Sequence, residues 1–241
     1  MNSMNDVIDT LDFEHTPVKV LVVNGSPRSE NRSRSFYLMH QVIDGVQALP
    51  AVEVLTYSFS NKHIAPNHAG SNAWDLEKDD FPEFYRLWQA ADAVIWCVPV
   101  YHMGPPSLIR AALERLSDHV IAGHKATRQE HLPRPNKVVG TVVNGGSRFG
   151  GQEITLMYMM QHAFQMRCLW VSADMPESYH GVAIHVTTDE ALRADRNSID
   201  MCMELGRRVV ETAKIVRAGM MLTGASLPAE YHHSPTAPGP A

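Results

Sequence analysis

Three short segments hold most of the side chains that could do chemistry. The first is NGSPRSENRSRS, residues 24–35, where hydroxyls and guanidinium groups crowd together directly after an apolar run. Ser26, Ser33 and Ser35 can donate hydrogen bonds, Arg28, Arg32 and Arg34 carry positive charge, and Gly25 allows a turn. A helical pattern follows, so the unpaired amides of a helix N-terminus stand beside these groups. Such a set suits a terminal phosphate held by backbone amides, hydroxyls and the helix dipole. The alternative is an N-cap followed by a solvated basic turn. The segment has no lysine and no Gly-Lys-Ser/Thr, so it is not a P-loop, and it lacks the GxGxxG of a dinucleotide fold. It also has no cysteine to attack a phosphate. An anion bound here would be held, not cleaved.

The second segment is PVYHMGPPS, residues 99–107. Pro99 closes an apolar run, and Gly104-Pro105 forces a tight turn, leaving Tyr101, His102 and Met103 on a constrained loop. An aromatic ring and a polarizable thioether there can face a flat heteroaromatic group; a plain turn with a packed tyrosine is the other reading. The third segment, VNGGSRFGGQE, residues 143–153, has four glycines within seven residues. With so little side-chain bulk the backbone can lie against a ligand, with Asn144, Ser147 and free amides meeting its polar edge. A glycine hinge is the competing reading.

The elements around these segments place all three on one edge. VKVLVVN (18–24), AVIWCVPV (93–100) and KVVGTVVN (137–144) are short and almost wholly apolar, as expected of parallel strands covered on both faces. VEVLTYS (52–58) and CLWVSA (168–173) complete five strands. Helices are predicted over 33–48, 80–91 and 107–120, over 152–166 with Ile154, Met157, Tyr158 and Gln161 at helical spacing, and from about Asp189 with Leu192, Ile199, Met203 and Val210 on one stripe. Residues 121–136 read as an exposed insertion. Strands alternating with helices imply crossover connections and a doubly wound α/β sandwich of three layers. In such sheets ligands bind beyond the carboxyl ends of the strands, where the three segments lie. One phosphate site and two ring-contacting loops describe a mononucleotide with a flat head group. FMN fits better than a dinucleotide.

Together, in this order, the three segments resemble the NADPH-dependent FMN reductase and iron–sulfur flavoprotein branch of the flavodoxin-like superfamily, over residues 18 to 172. The resemblance implies a flavodoxin-like α/β fold, a five-stranded parallel sheet in the order 2-1-3-4-5. It implies that Ser26, Arg28 and Ser33 hold the FMN phosphate, with Asn31, Arg32 and Ser35 as further candidates. Pro99, Val100, Tyr101, His102 and Met103 would lie along the isoalloxazine, and Asn144, Gly145, Gly146, Ser147 and Gly150 along its other edge. It further implies NADPH or NADH as electron donor, a flavin, quinone or similar small molecule as acceptor, and a homodimer or homotetramer. No catalytic residue is assigned, because the flavin performs the hydride chemistry itself. A flavodoxin-like electron carrier, without direct NAD(P)H activity, is the competing function.

The rest of the sequence narrows the field. Iron–sulfur members carry a cysteine cluster after strand 2, whereas IAPNHAGSNAW, residues 64–74, has none, so no cluster is expected. Cys97, Cys168 and Cys202 read as small buried hydrophobes. His119, His124, His131, His232 and His233 match no zinc spacing and read as solvated loop residues, so no metal is expected. A net charge of −5 gives no field for nucleic acid. No run approaches the ~18 apolar residues of a membrane span, and no signal pattern opens the chain; the expectation is a cytoplasmic protein. Residues 1–16 read as a polar leader, 17–225 as the FMN-binding domain, and 226–241 as a Pro-rich tail.

Overall fold

The structure, a computed structural model, describes residues 14–67, 79–127 and 136–223. The leader up to residue 13, residues 128–135 of the expected insertion and the tail at 226–241 lie outside the described residues.

Among the described residues, strands and helices largely alternate along the chain. They are β1 (Val18–Asn24), α1 (Arg34–Gln47), β2 (Val52–Ser58), α2 (Phe81–Ala90), β3 (Ala93–Pro99), α3 (Ser107–Thr127), β4 (Val138–Gly145), α4 (Gln152–Gln165), β5 (Leu169–Trp170), β6 (Val182–His185), α5 (Asp189–Ala194) and α6 (Arg196–Thr223). The sheet runs β2-β1-β3-β4-β5, with β6 also on β4, and every pairing is parallel. The flavodoxin-like order 2-1-3-4-5 is the one observed.

Successive strand residues feed opposite layers, because side chains alternate across a pleated sheet. Val18, Val20, Val22, Ile95 and Cys97 pack with Leu38, Val42, Leu205 and Val209 of α1 and α6. Leu21, Val23, Val94, Trp96 and Val98 pack with Phe84, Ile109, Leu113 and Leu156 of α2, α3 and α4. Each fully buried Val, Leu or Ile contributes about 1.5–3 kcal/mol relative to exposure, so a β3 that is buried at every position anchors both layers. On the first face α1 and α6 come together through glycines. A Cβ at Gly45 would lie 2.0 Å from the Met203 carbonyl oxygen, and one at Gly206 would lie 2.5 Å from that of Val42. That contact fixes the helix whose N-terminus opens the serine–arginine segment.

Two buried cations fasten the second face. Lys137 donates to the carbonyls of Gln89, at 3.2 Å, and Ala91, and its Nζ stands 4.8 Å from the Trp88 ring. It ties the end of α2 to the start of β4. Burial pulls its pKa down to about 8. Arg115 of α3 pairs with Asp79 at 2.6 Å, and its guanidinium carbon lies 4.2 Å from the Phe81 ring.

The sequence reading needs four corrections. Strand 5 does not run over 168–173: only Leu169 and Trp170 pair, with Val138 and Val139. The chain then leaves the sheet and returns as β6 beside Val142–Gly145. Pro176 has no amide to donate to a ladder, and the excursion is stapled instead by Ser178 Oγ, which donates to the carbonyls of Ala173 and Met175. Residues 121–127 are not an insertion but the last turns of α3. The helix expected from Asp189 breaks at Asp195, whose carboxylate accepts from the Ser198 amide (3.1 Å) and hydroxyl (2.6 Å) and so caps a new helix. Ile154 and Met157 are 52% and 47% exposed, while Thr155, Leu156, Met159 and Ala163 form the buried face of α4.

Candidate functional site

β1 ends in Asn24, which is fully buried and organises the turn that follows. Its Oδ1 accepts from the Ser26 amide at 3.1 Å and the Ser33 hydroxyl at 3.5 Å, and its Nδ2 donates to Ser58 Oγ at 2.9 Å. Ser26 Oγ accepts from the Arg28 amide at 3.3 Å. Ser33 is the N-cap of α1: its Oγ accepts from Phe36 N at 3.1 Å, and its carbonyl from Tyr37 N at 3.2 Å. The amides of Arg34 and Ser35, in the first turn, are thereby left for a ligand. From across the sheet, Asn144 Nδ2 donates to Ser35 Oγ at 2.7 Å.

These groups surround a cavity of ≈ 160 Å³. Its walls are Ser26, Arg28 and Ser33–Ser35 from the first loop, Pro99–Tyr101 from the second and Asn144–Gly146 from the third. No carboxylate is among them, and Ser26 and Ser35 are 2% and 1% exposed. Buried hydroxyls, a guanidinium and helix amides without an opposing acid fit a phosphate.

Arg34 also lines this cavity, but its guanidinium is already engaged. Nε pairs with Asp189 at 2.6 Å, while the terminal nitrogens donate to the carbonyls of Val186 and Thr187 at 3.0 and 3.2 Å. It fastens the connection between β6 and α5 to α1. Arg28 is less constrained, its guanidinium carbon lying 5.9 Å from the Tyr101 ring centre.

The second loop is a two-residue turn. Tyr101 N donates to Gly104 O at 2.8 Å and Gly104 N returns to Tyr101 O at 3.2 Å. His102 and Met103 between them have φ of 49° and 67°. Left-handed conformations at non-glycine residues cost of order 1 kcal/mol each. The third loop is braced by Gln152, whose Nε2 donates to Ser147 O at 2.7 Å and whose Oε1 accepts from Gly150 N at 3.0 Å. Gly151, with φ of 103°, presses directly on the second loop.

With the geometry in place, comparison with known proteins places the chain. The family model described as NADPH-dependent FMN reductase matches residues 18–176. The chain belongs to that family. An iron-sulfur flavoprotein of Methanocaldococcus jannaschii is 25% identical over 205 residues, covering 83% of this chain and 100% of that protein. One from Archaeoglobus fulgidus is 30% identical over 145 residues, covering 58% of this chain and 69% of that protein. Among solved structures, a flavodoxin, WrbA-like protein from Agrobacterium tumefaciens has a TM-score of 0.55 at 18% identity, covering 83% of this chain and 98% of that one. That last likeness concerns the fold alone.

By family the chain is an FMN-binding oxidoreductase. Of the residues named from sequence, Ser26, Arg28, Ser33, Ser35, Pro99, Val100, Tyr101, Asn144, Gly145 and Gly146 line that one cavity. Asn31 and Arg32 sit on an exposed 3-10 turn, Glu30–Arg32, outside its walls. His102, Met103, Ser147 and Gly150, on the second and third loops, are not among its walls. Three residues that organise the site were not singled out. Gln152 acts through hydrogen bonds to neighbours in sequence, Asn24 both through these and through Ser58, 34 residues on, and an Asn ending a strand before Gly is the one visible signal. Arg34 was read only as one of three loop cations, because its partners lie more than 150 residues away.

The remaining reactive groups stand apart from this chemistry. Cys97, at the end of β3, is fully buried, and burial with Cys202 nearby pushes its thiol well above the ordinary value. Cys168 and Cys202 are likewise buried. His119 is not a solvated loop residue: it lies in α3 against Tyr85 at 4.7 Å and Phe81 at 5.7 Å, and burial pulls its pKa down to about 4. His124 lies within α3, while His131, His232 and His233 lie outside the described residues. Among the described residues no three His, Cys, Asp or Glu side chains group as a metal site, and no helix is long and apolar enough to cross a membrane.

Proposed function

We propose that this chain is an FMN-dependent NAD(P)H oxidoreductase that passes electrons from a nicotinamide nucleotide to a small acceptor such as a flavin or quinone. The observation that carries the reading is the cavity at the carboxyl edge of the sheet, lined by hydroxyls, Arg28 and the first turn of α1 with no carboxylate, and with two shaped loops beside it. When bound, FMN supplies the hydride and electron-transfer chemistry. The chain supplies position. Ser26, Ser35 and the first-turn amides of α1 hold the phosphate, and Asn144 fixes the direction of the Ser35 hydroxyl. The His102-Met103 turn and the Gln152-braced loop flank the ring, where the amides of the third loop can stabilise negative charge. Assembly as a homodimer or homotetramer belongs to the same proposal, supported by the exposed Met157 and Phe164 on α4.

The test is reconstitution with FMN followed by anaerobic addition of NADH and then NADPH. Bleaching of the flavin absorbance by either is expected. A flavin that dithionite reduces but neither nucleotide does would make the protein an electron carrier. Protein that fails to take up FMN would remove the proposal altogether.

A further inference from the structure

A second cleft lies beside the phosphate cavity, on the far side of the glycine-rich loop. It has a volume of ≈ 390 Å³ and is walled by Met103, Arg148, Phe149, the Gly151–Ile154 start of α4 and Ala183–His185 of β6. That size falls within the roughly 300–1,000 Å³ of small-molecule sites. The two cavities share their loops. Tyr101 walls the first and Met103 the second, two positions apart on one turn, and Asn144–Gly146 and Arg148–Ile154 are the two ends of one loop and its helix. The second cleft therefore adjoins the first across the second and third loops.

The walls specify what that molecule is. Phe149 is 91% exposed, Ile154 52% and Met103 49%. These are three large apolar side chains left in water around one opening, and a flat apolar body would cover them. Phe149 stands between Gly145-Gly146 and Gly150-Gly151, so its loop carries little bulk that would stop it closing onto a ring. Arg148, adjacent, is exposed and makes no ion pair among the described residues. A free guanidinium beside an exposed aromatic ring suits a planar group bearing a carboxylate, which it can meet with two parallel hydrogen bonds. Glu153 also lines the cleft and disfavours a second negative charge.

We propose that this cleft binds a planar aromatic monoanion, with Arg148 on its carboxylate and Phe149, Met103 and Ile154 on its faces, and that molecules of this class are the electron acceptors. The second half rests on the oxidoreductase reading above. A quinone carboxylate held there leaves as its hydroquinone after taking two electrons and two protons, the number that reduced FMN gives up.

The test uses methyl red, an azo dye with one carboxylate, and its neutral methyl ester, in equilibrium dialysis against apo and FMN-loaded protein. Methyl red should bind both forms about tenfold more tightly than the ester, the gain expected of one charge-assisted contact. Arg148→Gln should abolish that preference, and Phe149→Ala should weaken both dyes alike. Equal binding of the two dyes to the native protein, or a preference that survives Arg148→Gln, overturns the inference. Dye binding that is lost as the protein dimerises, followed by sedimentation, assigns the cleft to a second copy and overturns it too. A parallel FMN titration separates the two readings: failure to take up FMN removes the oxidoreductase proposal, while dye binding to the apo protein still judges the cleft.

Discussion

Asn144, the penultimate residue of β4, reaches across the sheet edge to donate 2.7 Å to Ser35 Oγ in the first turn of α1, 109 residues earlier in the chain. The bond joins the start of the third loop to the first turn of α1. It also commits one lone pair of Ser35, so the hydroxyl hydrogen is directed elsewhere.

Asn144→Ala should therefore weaken FMN binding without unfolding the protein. Losing a buried hydrogen bond and its positioning costs roughly 1–3 kcal/mol, and about thirtyfold in Kd is the middle of that range. Quenching of FMN fluorescence on binding measures it. A Kd within twofold of the native protein would show that Ser35 needs no such support.

Gly151→Ala tests the contact between the second and third loops. A Cβ there would lie 2.7 Å from the Met103 Cα, at a backbone φ of 103° that side chains rarely adopt. Both loops must then shift. A loss of about 1–3 kcal/mol is expected, read as a fall in Tm together with weaker FMN binding. Ser147→Ala, whose side chain makes no hydrogen bond within the described residues, is the control and should change Tm little.

Arg115 and Asp79 offer a prediction about stability alone. Their side chains are 3% and 2% exposed and 2.6 Å apart. Arg115→Leu strands a buried carboxylate and should cost about 3–5 kcal/mol in denaturant unfolding. Adding Asp79→Asn to that variant should recover part of the loss. A double variant as unstable as the sum of the two singles would show the pair to be uncoupled.

His162 sets a dependence on acid. Its Nε2 lies 2.8 Å from the Leu113 carbonyl, which can only accept, and burial pulls its pKa from 6.5 to about 4. Between those two values the unfolded chain binds the proton and the folded protein does not. Stability is therefore held above pH 6.5 and falls as pH drops towards 4, by about 3 kcal/mol at 1.36 kcal/mol per unit. Tm measured across that range should decline more steeply in the native protein than in His162→Gln. Equal slopes would move the acid sensitivity to other groups.

Much of the fold is legible in the chain because it rests on local patterns. The apolar runs at 18–24, 93–99 and 138–145 have the length and β-branching of strands buried on both faces, and helical runs between them demand a parallel sheet. Where the reading failed, the deciding partner was distant or the local signal served two outcomes. Residues 121–127 are polar enough for a loop and equally suited to the solvated end of a helix. Residues 168–173 are apolar enough for one strand, yet Pro176 and the Ser178 staple send the chain out of the sheet, and Val182–His185 finish the lane. Ile154 and Met157 have helical spacing, but periodicity alone does not say which apolar stripe faces the sheet.

The serine–arginine segment shows the same division. Its residue types point to an anion held rather than attacked, since hydroxyls, guanidiniums and a helix N-terminus stand together without a lysine or a thiol. Which of the three arginines is spent on the protein itself was decided only when β6 and α5 folded back against α1 and took Arg34. Hydrogen bonds and burial depend on groups brought together across the chain, and sequence spacing carries no record of them.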